Sequence, residues 1–258
     1  MPREGTYVSL LRGAEVFSPM KLKYLDEYDF RARFVPAIFV ILPAAFLLLA
    51  LVPSARGLSG IVITPAIAVA LVLVLVRIAR DQGKKIEPGL VREWDGMPTT
   101  RFLRHRNAEI EGPRRERYRT CLIKLTGMRF PTVEEEAADP ERADGIYAAA
   151  IAELREQRRG KKYPLVFGEN CNYGMMRNLL GLRPAGIVIS VCCAAAVALG
   201  LALPTTSADM AVLTLAVCGL VFLVLVGFVG KAAVKRTAEA YATALLQSCQ
   251  PVTGVSKK

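Results

Sequence analysis

One histidine and one tryptophan occur in 258 residues, and four stretches of about twenty residues carry no charge at all. His105 has no cysteine or second histidine at metal-ligand spacing, and the six cysteines include no CxxC pair, so no zinc site is expected and the thiols read as reduced and structural. The motifs GxSxG, GxxxxGK[ST], HExxH and GxGxxG are all missing, which leaves no nucleophile elbow, phosphate loop, zincin helix or dinucleotide turn. His105 lies between Arg104 and Arg106 with no carboxylate placed to orient it, so a nucleophile and base pair lacks its second member. No catalytic residue, metal or cofactor is expected.

The uncharged stretches are 34–52, 58–76, 185–203 and 211–230. A helix of that length rises about 1.5 Å per residue and crosses a hydrocarbon core of roughly 30 Å. Hydrophobic residues make up 53% of the chain, and with the apolar sequence gathered in four blocks too little polar sequence remains to surround them as buried helices. Four transmembrane helices follow. The sequence predicts an all-α or mainly α membrane protein in a 2+2 arrangement: an N-terminal arm (1–33), a first hairpin (34–76), a mainly helical cytosolic domain (77–183), a second hairpin (184–230) and a helical tail (231–258).

Basic residues set the orientation. Six precede the first run, one (Arg56) lies between the first and second, 22 lie between the second and third, none between the third and fourth, and five follow the fourth. The flanking Arg31, Arg33, Arg77, Arg80, Arg183, Lys231, Lys235 and Arg236 all fall on one side, which the positive-inside rule makes cytoplasmic. The chain is expected in a bacterial cytoplasmic (inner) membrane with both termini on the cytoplasmic side. No short apolar region with a small-residue cleavage site precedes the first run, so its N-terminal arm is expected to be retained.

The runs themselves hold no ionisable group, which argues against ion-coupled transport. Gly186, Ser190, Ala194 and Ala198 recur every four residues as a ridge of small side chains; it suits either a homo-oligomer interface or packing within the bundle. Pro36, Pro43 and Pro65 either kink their helices or are tolerated there.

Outside the membrane, Ser18 and Pro19 open an interfacial helix carrying Met20, Tyr24 and Tyr28, with Lys21 and Lys23 beside lipid phosphates. Pro113 and Gly127 bracket one helix, Thr132 and Glu135 form a capping box, and Asp139 with Pro140 opens a longer helix ending near Gly160. That helix has an apolar stripe of Ala143, Ile146, Tyr147, Ala150, Ile151 and Leu154. A helix is expected over 97–106, a short strand over 165–167, and an unbroken continuation of the fourth run with Val234, Ala238, Tyr241 and Leu245 on one face.

Charge in the domain is segregated: 101–129 holds nine basic and three acidic residues, and 134–156 holds eight acidic and two basic. Arg101, Arg104, Arg106, Arg114, Arg115, Arg117 and Arg119 form a candidate site for an anionic small molecule, a protein signal or lipid headgroups. The alternative is that the basic segment lies against the acidic one. Nucleic acid is a weaker partner, because no recognised module accompanies the charge.

Two strings carry a resemblance: Tyr28-Asp29-Phe30-Arg31-Ala32-Arg33 leading to Pro36, and Glu169-Asn170-Cys171-Asn172-Tyr173-Gly174-Met175-Met176-Arg177-Asn178. They resemble uncharacterised bacterial inner-membrane proteins with two spans on either side of a cytosolic domain. The layout is similar to that of four-span membrane effectors of antiphage systems, which implies a domain that receives a signal and helices that disturb the membrane. Read physically, Glu169, Asn170, Asn172, Tyr173, Arg177 and Asn178 form a polar cluster before the third run, either a hinge or ligand site or a set of caps for a short helix. Two functions are expected in competition: a signalling or effector module, and a membrane-anchored enzyme acting on a phosphorylated or lipid substrate.

Overall fold

The computed structural model describes residues 27–52, 58–202 and 207–249, and for 58–68 the backbone alone. The start of the interfacial helix, both short loops and Pro65 lie outside the described side chains. The fold is helical, with no strand among the described residues. In order the helices are α1 (Glu27–Leu51), α2 (Leu58–Glu93), the single turn α3 (Pro98–Arg101), α4 (Gly112–Thr126), α5 (Val133–Ala138), α6 (Pro140–Gln157), α7 (Pro164–Gly200), α8 (Ala208–Gly227) and α9 (Lys231–Gln247).

α1, α7 and α8 are long and apolar enough to cross a membrane. Their large side chains face outward: Val188 is 60% exposed, Leu199 77%, Val212 65% and Leu223 64%. In water so wide an apolar surface would be a severe aggregation liability, whereas against lipid tails it is the ordinary outer face of a bundle. The chain is thus suited to a membrane. The uncharged run 58–76 lies in α2, half of it among the residues described by backbone alone.

α7 organises the fold. Its 37 residues span roughly 55 Å at the helical rise, nearly twice a bilayer core. Three apolar cores lie along it. Val166 and Tyr173 belong to the first, with Leu90, Trp94, Tyr118, Tyr147 and Leu154. Leu179 and Leu182 belong to the second, with Val40, Val221 and Leu225; Val197 packs with Ala50 and Ala211 in the third.

Local signals in the first-core region act as read. Gly127 ends α4 in the left-handed region at φ 69°. Thr132 and Glu135 exchange both bonds of a capping box, and Asp139 caps α6 through the Arg142 N–H. Five of the six stripe residues of α6 are buried, and Ile146 packs at the core edge.

Three expectations need correction. Residues 165–167 are not a strand: Pro164 occupies the first turn of α7, where its fixed φ and missing N–H favour a helix start, and this outweighs a three-residue apolar run. The helix over 97–106 shrinks to the turn α3, because Arg104 is drawn back onto the turn that ends α2. There Asp95 (φ 56°) and Gly96 (φ 107°) are both left-handed, and a Cβ on Gly96 would lie 2.7 Å from Arg104 Nη2. The fourth run does not continue unbroken: Gly230 is extended (φ −149°, ψ 168°), and α9 restarts at Lys231. Val234, Ala238, Tyr241 and Leu245 nevertheless all enter the first core, so α9 covers it as its stripe predicts.

Candidate functional site

Between the first and second cores lies a buried polar layer where α1, α2 and α7 meet. It begins with a proline. Pro36 has no N–H to give the carbonyl four residues back, and its ring crowds that carbonyl. The residue concerned is Ala32. The helix widens there into a π segment, Phe30–Phe34, in which the Val35 N–H reaches Phe30 O. Asn178 Nδ2 of α7 then donates to Ala32 O at 2.7 Å, with both residues buried. A side chain from another helix replaces the hydrogen bond that proline removed.

Three glycines make the approach close enough. A Cβ on Gly83 would lie 2.1 Å from Asn178 Oδ1, and one on Gly174 would lie 2.9 Å from Tyr28 Oη and 3.0 Å from Ala32 Cβ. A Cβ on Gly181 would lie 2.8 Å from Gly83 N and 2.9 Å from Gln82 C, both backbone atoms that cannot turn aside.

One turn nearer the first core, Glu87 of α2 accepts from Tyr173 Oη at 2.6 Å and from Arg177 Nη1 at 2.9 Å. The Arg177 guanidinium lies over the Tyr173 ring at 5.5 Å, and its Nε is buried with no hydrogen-bond partner among the described residues. Tyr173 also stacks on Tyr241 of α9, with centroids 6.4 Å apart and planes at 5°. Through Tyr173, α9, α7 and α2 are joined side chain to side chain.

The structure brings together Tyr173, Arg177 and Asn178 of the predicted cluster. Asn172 sits at its edge, accepting from Arg31 and donating to Glu169, both at 3.4 Å, and Asn170 faces a separate cavity. All six are inside α7, so they do not cap a short helix; Tyr173 and Arg177 bond across to α2 and Asn178 to α1, whereas Glu169 bonds to Asn172 within α7. Ala32, Gly83 and Glu87 were missed by sequence reasoning. Pro36 was the available signal, because an internal proline always leaves a carbonyl that needs a donor.

The arginines of 101–119 are dispersed. Arg101, about 6% exposed, binds Trp94 O at 2.6 Å, Glu109 at 2.7 Å and Glu239 at 3.0 Å. Arg104 holds Asp144 with two bonds of 2.8 and 2.5 Å and Asp95 at 2.7 Å. Arg119 donates to Leu103 O, Tyr147 Oη and Pro131 O. Arg106 pairs with Glu136 at 3.1 Å. Glu136, buried itself, also accepts from the His105 N–H at 2.9 Å and Tyr147 Oη at 2.7 Å. Burial resists ionisation of Glu136, but these donors outweigh it and hold the carboxyl below the usual range. The same burial, with Glu136 as acceptor, raises the Tyr147 phenol. Basic and acidic segments thus meet through Arg104, Arg106 and Arg119. Arg114 stacks on Tyr118, Arg115 donates to Asn107 O, and Arg117 donates to Pro113 O at 3.4 Å.

The small-residue ridge of α7 turns inward in part. Gly186 and Ser190 are buried, and a Cβ on Gly186 would meet Leu225 Cδ1 at 2.6 Å. The buried line then follows Cys193 and Val197, while Ala194 is half-buried and Ala198 exposed. Among the described residues, which include all six cysteines, no disulfide forms.

No family model, curated protein or solved structure matches the chain.

Proposed function

We propose that the chain is a four-span membrane protein in which the domain of residues 77–183 senses a signal or partner and controls the packing of the spans, as a signalling or effector module. The observation that carries this reading is the polar layer. One unbroken helix, α7, leaves the first core, passes through Tyr173, Arg177 and Asn178, and enters the second core, so a shift of the domain reaches the apolar helices without an intervening hinge.

The uncharged run 58–76 supplies the second span, giving the 2+2 arrangement, and the basic flanks put both termini and the domain in the cytoplasm. A bacterial cytoplasmic membrane is the location, with an antiphage effector role as the form suggested by the layout. The exposed Ala198 side of α7 leaves room for a second copy in the bilayer.

The test has two parts. Reporter fusions after residue 202 and at the C-terminus should be external and cytoplasmic respectively. On overexpression, membrane potential should fall or growth slow, and Tyr173→Phe with Asn178→Leu should change that response while Gly89→Ala leaves it alone; a Cβ on Gly89 meets nothing within 4 Å. If neither the native chain nor the layer variants alter potential or growth, the effector reading fails.

A further inference from the structure

On the first-core side of the polar layer, a cavity of about 440 Å³ opens where four parts of the chain converge. Tyr28 and Arg33 come from the start of α1, Arg155 and Arg158 from the end of α6, Asn170 from α7 and Tyr241 from α9. Arg159 completes a set of four guanidinium groups in the wall, and among the described residues no Asp or Glu lines it. The volume is within the range of small-molecule sites.

The charges do not cancel. Arg33 is matched by Asp29 at 2.7 Å and Arg159 by Glu156 at 2.8 Å. Arg158 uses Nη1 on Tyr163 Oη at 3.0 Å and Nε on Ser248 O at 3.3 Å, so its hydrogen-bond partners among the described residues are neutral and leave Nη2 over. Arg155 enters no ion pair or hydrogen bond among the described residues, and its charge is felt at Tyr241, where it opposes the rise that burial imposes on the phenol. Two positive charges therefore stand unbalanced at the cavity, Arg155 exposed at its rim and Arg158 half-buried, with forked donors suited to a tetrahedral oxyanion. A phosphate monoester, carrying about −1.5 to −2 near neutral pH, matches that balance, where a carboxylate would leave one charge over. Beside the guanidinium groups, Tyr28, Phe167 and Tyr241 offer an apolar and aromatic wall for the rest of the molecule.

We infer that this cavity binds a soluble phosphate monoester, with the phosphate on Arg155 and Arg158 and the ester group against Tyr28, Phe167 and Tyr241. An occupant would tie α1, α6, α7 and α9 to one another. Because Tyr241 stacks on Tyr173, binding would also press on the polar layer; that last step rests on the proposed function, whereas binding itself does not. The seven arginines of 101–119 contribute nothing to this wall, so the site differs from the basic segment that the sequence advertises.

Full-length protein in neutral detergent is titrated calorimetrically with inorganic phosphate, phenyl phosphate and adenosine 5′-monophosphate, and then assayed for binding to phosphatidylcholine vesicles with and without phosphatidic acid. Phenyl phosphate should saturate at one site per chain and bind more tightly than inorganic phosphate. Arg155→Ala with Arg158→Ala should weaken it at least about tenfold, the loss expected for one charge-assisted bond, while Lys124→Ala does not. Trp94 fluorescence, reporting from the first core, should show the same folded state in all three. If the arginine pair instead governs only phosphatidic-acid binding, the phosphate belongs to a lipid headgroup and the soluble-ester assignment is overturned. Absence of saturation at millimolar concentration, or equal affinity in the double variant, overturns the site altogether. Binding that holds while the membrane response ignores the ligand would retain the site and remove the function proposed above.

Discussion

Asn178→Ala tests whether the polar layer exists to repair what Pro36 breaks. Removing the amide leaves Ala32 O buried and without its 2.7 Å donor. A buried acceptor left unmade costs roughly 1–3 kcal/mol, and the missing side-chain volume adds to that. Pro36→Ala should rescue part of the loss, because an alanine in place of the proline can supply the N–H that closes an ordinary helical bond to Ala32 O. The two substitutions should therefore couple by about 1–2 kcal/mol, with the double variant losing less than the single effects combined. The assay is unfolding of full-length protein in mixed micelles by added dodecyl sulfate, followed by helical circular dichroism and by the fluorescence of Trp94, which is 5% exposed. A coupling below about 0.5 kcal/mol, the level of independent sites, would refute the repair argument, whatever Asn178→Ala does alone.

Gly181→Ala should lower stability by about 1–3 kcal/mol in the same assay, since its Cβ would strike the backbone of Gln82 and Gly83. Gly89→Ala, with open space around it, should be neutral or stabilising by about 0.5–1 kcal/mol. Glu87→Ala leaves Arg177, 12% exposed, without its carboxylate and should cost about 3 kcal/mol; Tyr173→Phe, which removes one hydrogen bond, should cost about 1 kcal/mol. Glu136 has a lowered folded pKa, so its contribution is complete above the ordinary carboxyl value and is lost as pH falls through the depressed one; Trp94 fluorescence should show acid unfolding that Glu136→Gln makes shallower. The Cys249 thiol is buried and pushed up to about 12, so maleimide should modify it only after denaturation.

Much of the first-core region was legible because its signals are local. Gly127, the Thr132 and Glu135 box, and Asp139 with Pro140 each act within one helical turn, and the stripes of α6 and α9 follow a period that the chain keeps over several turns. Opposite charge in neighbouring segments was legible too, and it meets at Arg104–Asp144 and Arg106–Glu136. The polar layer was half legible. Tyr173, Arg177 and Asn178 stand out as polar groups beside an apolar run, but Glu87 lies 86 residues from Tyr173 in sequence, and Ala32 and Gly83 carry no functional group to notice. The arginine-walled cavity was not legible, because Arg33 is more than a hundred residues from Arg155 and Arg158, and only the packing of α1, α6 and α9 makes them neighbours.

The position of the polar layer also limits what the helices can do. Apolar side chains in the second and third cores have no strong preference for one register, since sliding a helix past lipid-like neighbours exchanges one apolar contact for another. The Asn178–Ala32 and Glu87–Tyr173–Arg177 bonds do have a register, because a displacement of one turn would leave a buried carbonyl and a half-buried carboxylate and guanidinium without these partners. Gly83, Gly174 and Gly181 sharpen this by admitting backbones only where all three coincide. The layer therefore fixes α7 against α1 and α2 at one level, and the spans beyond it can repack only by tilting or rotating about that level. On the function proposed above, a signal from the first core would act by tilting α7 there, which is why variants of the layer should alter the membrane response more than variants at the far end of α7, such as Ala198→Leu.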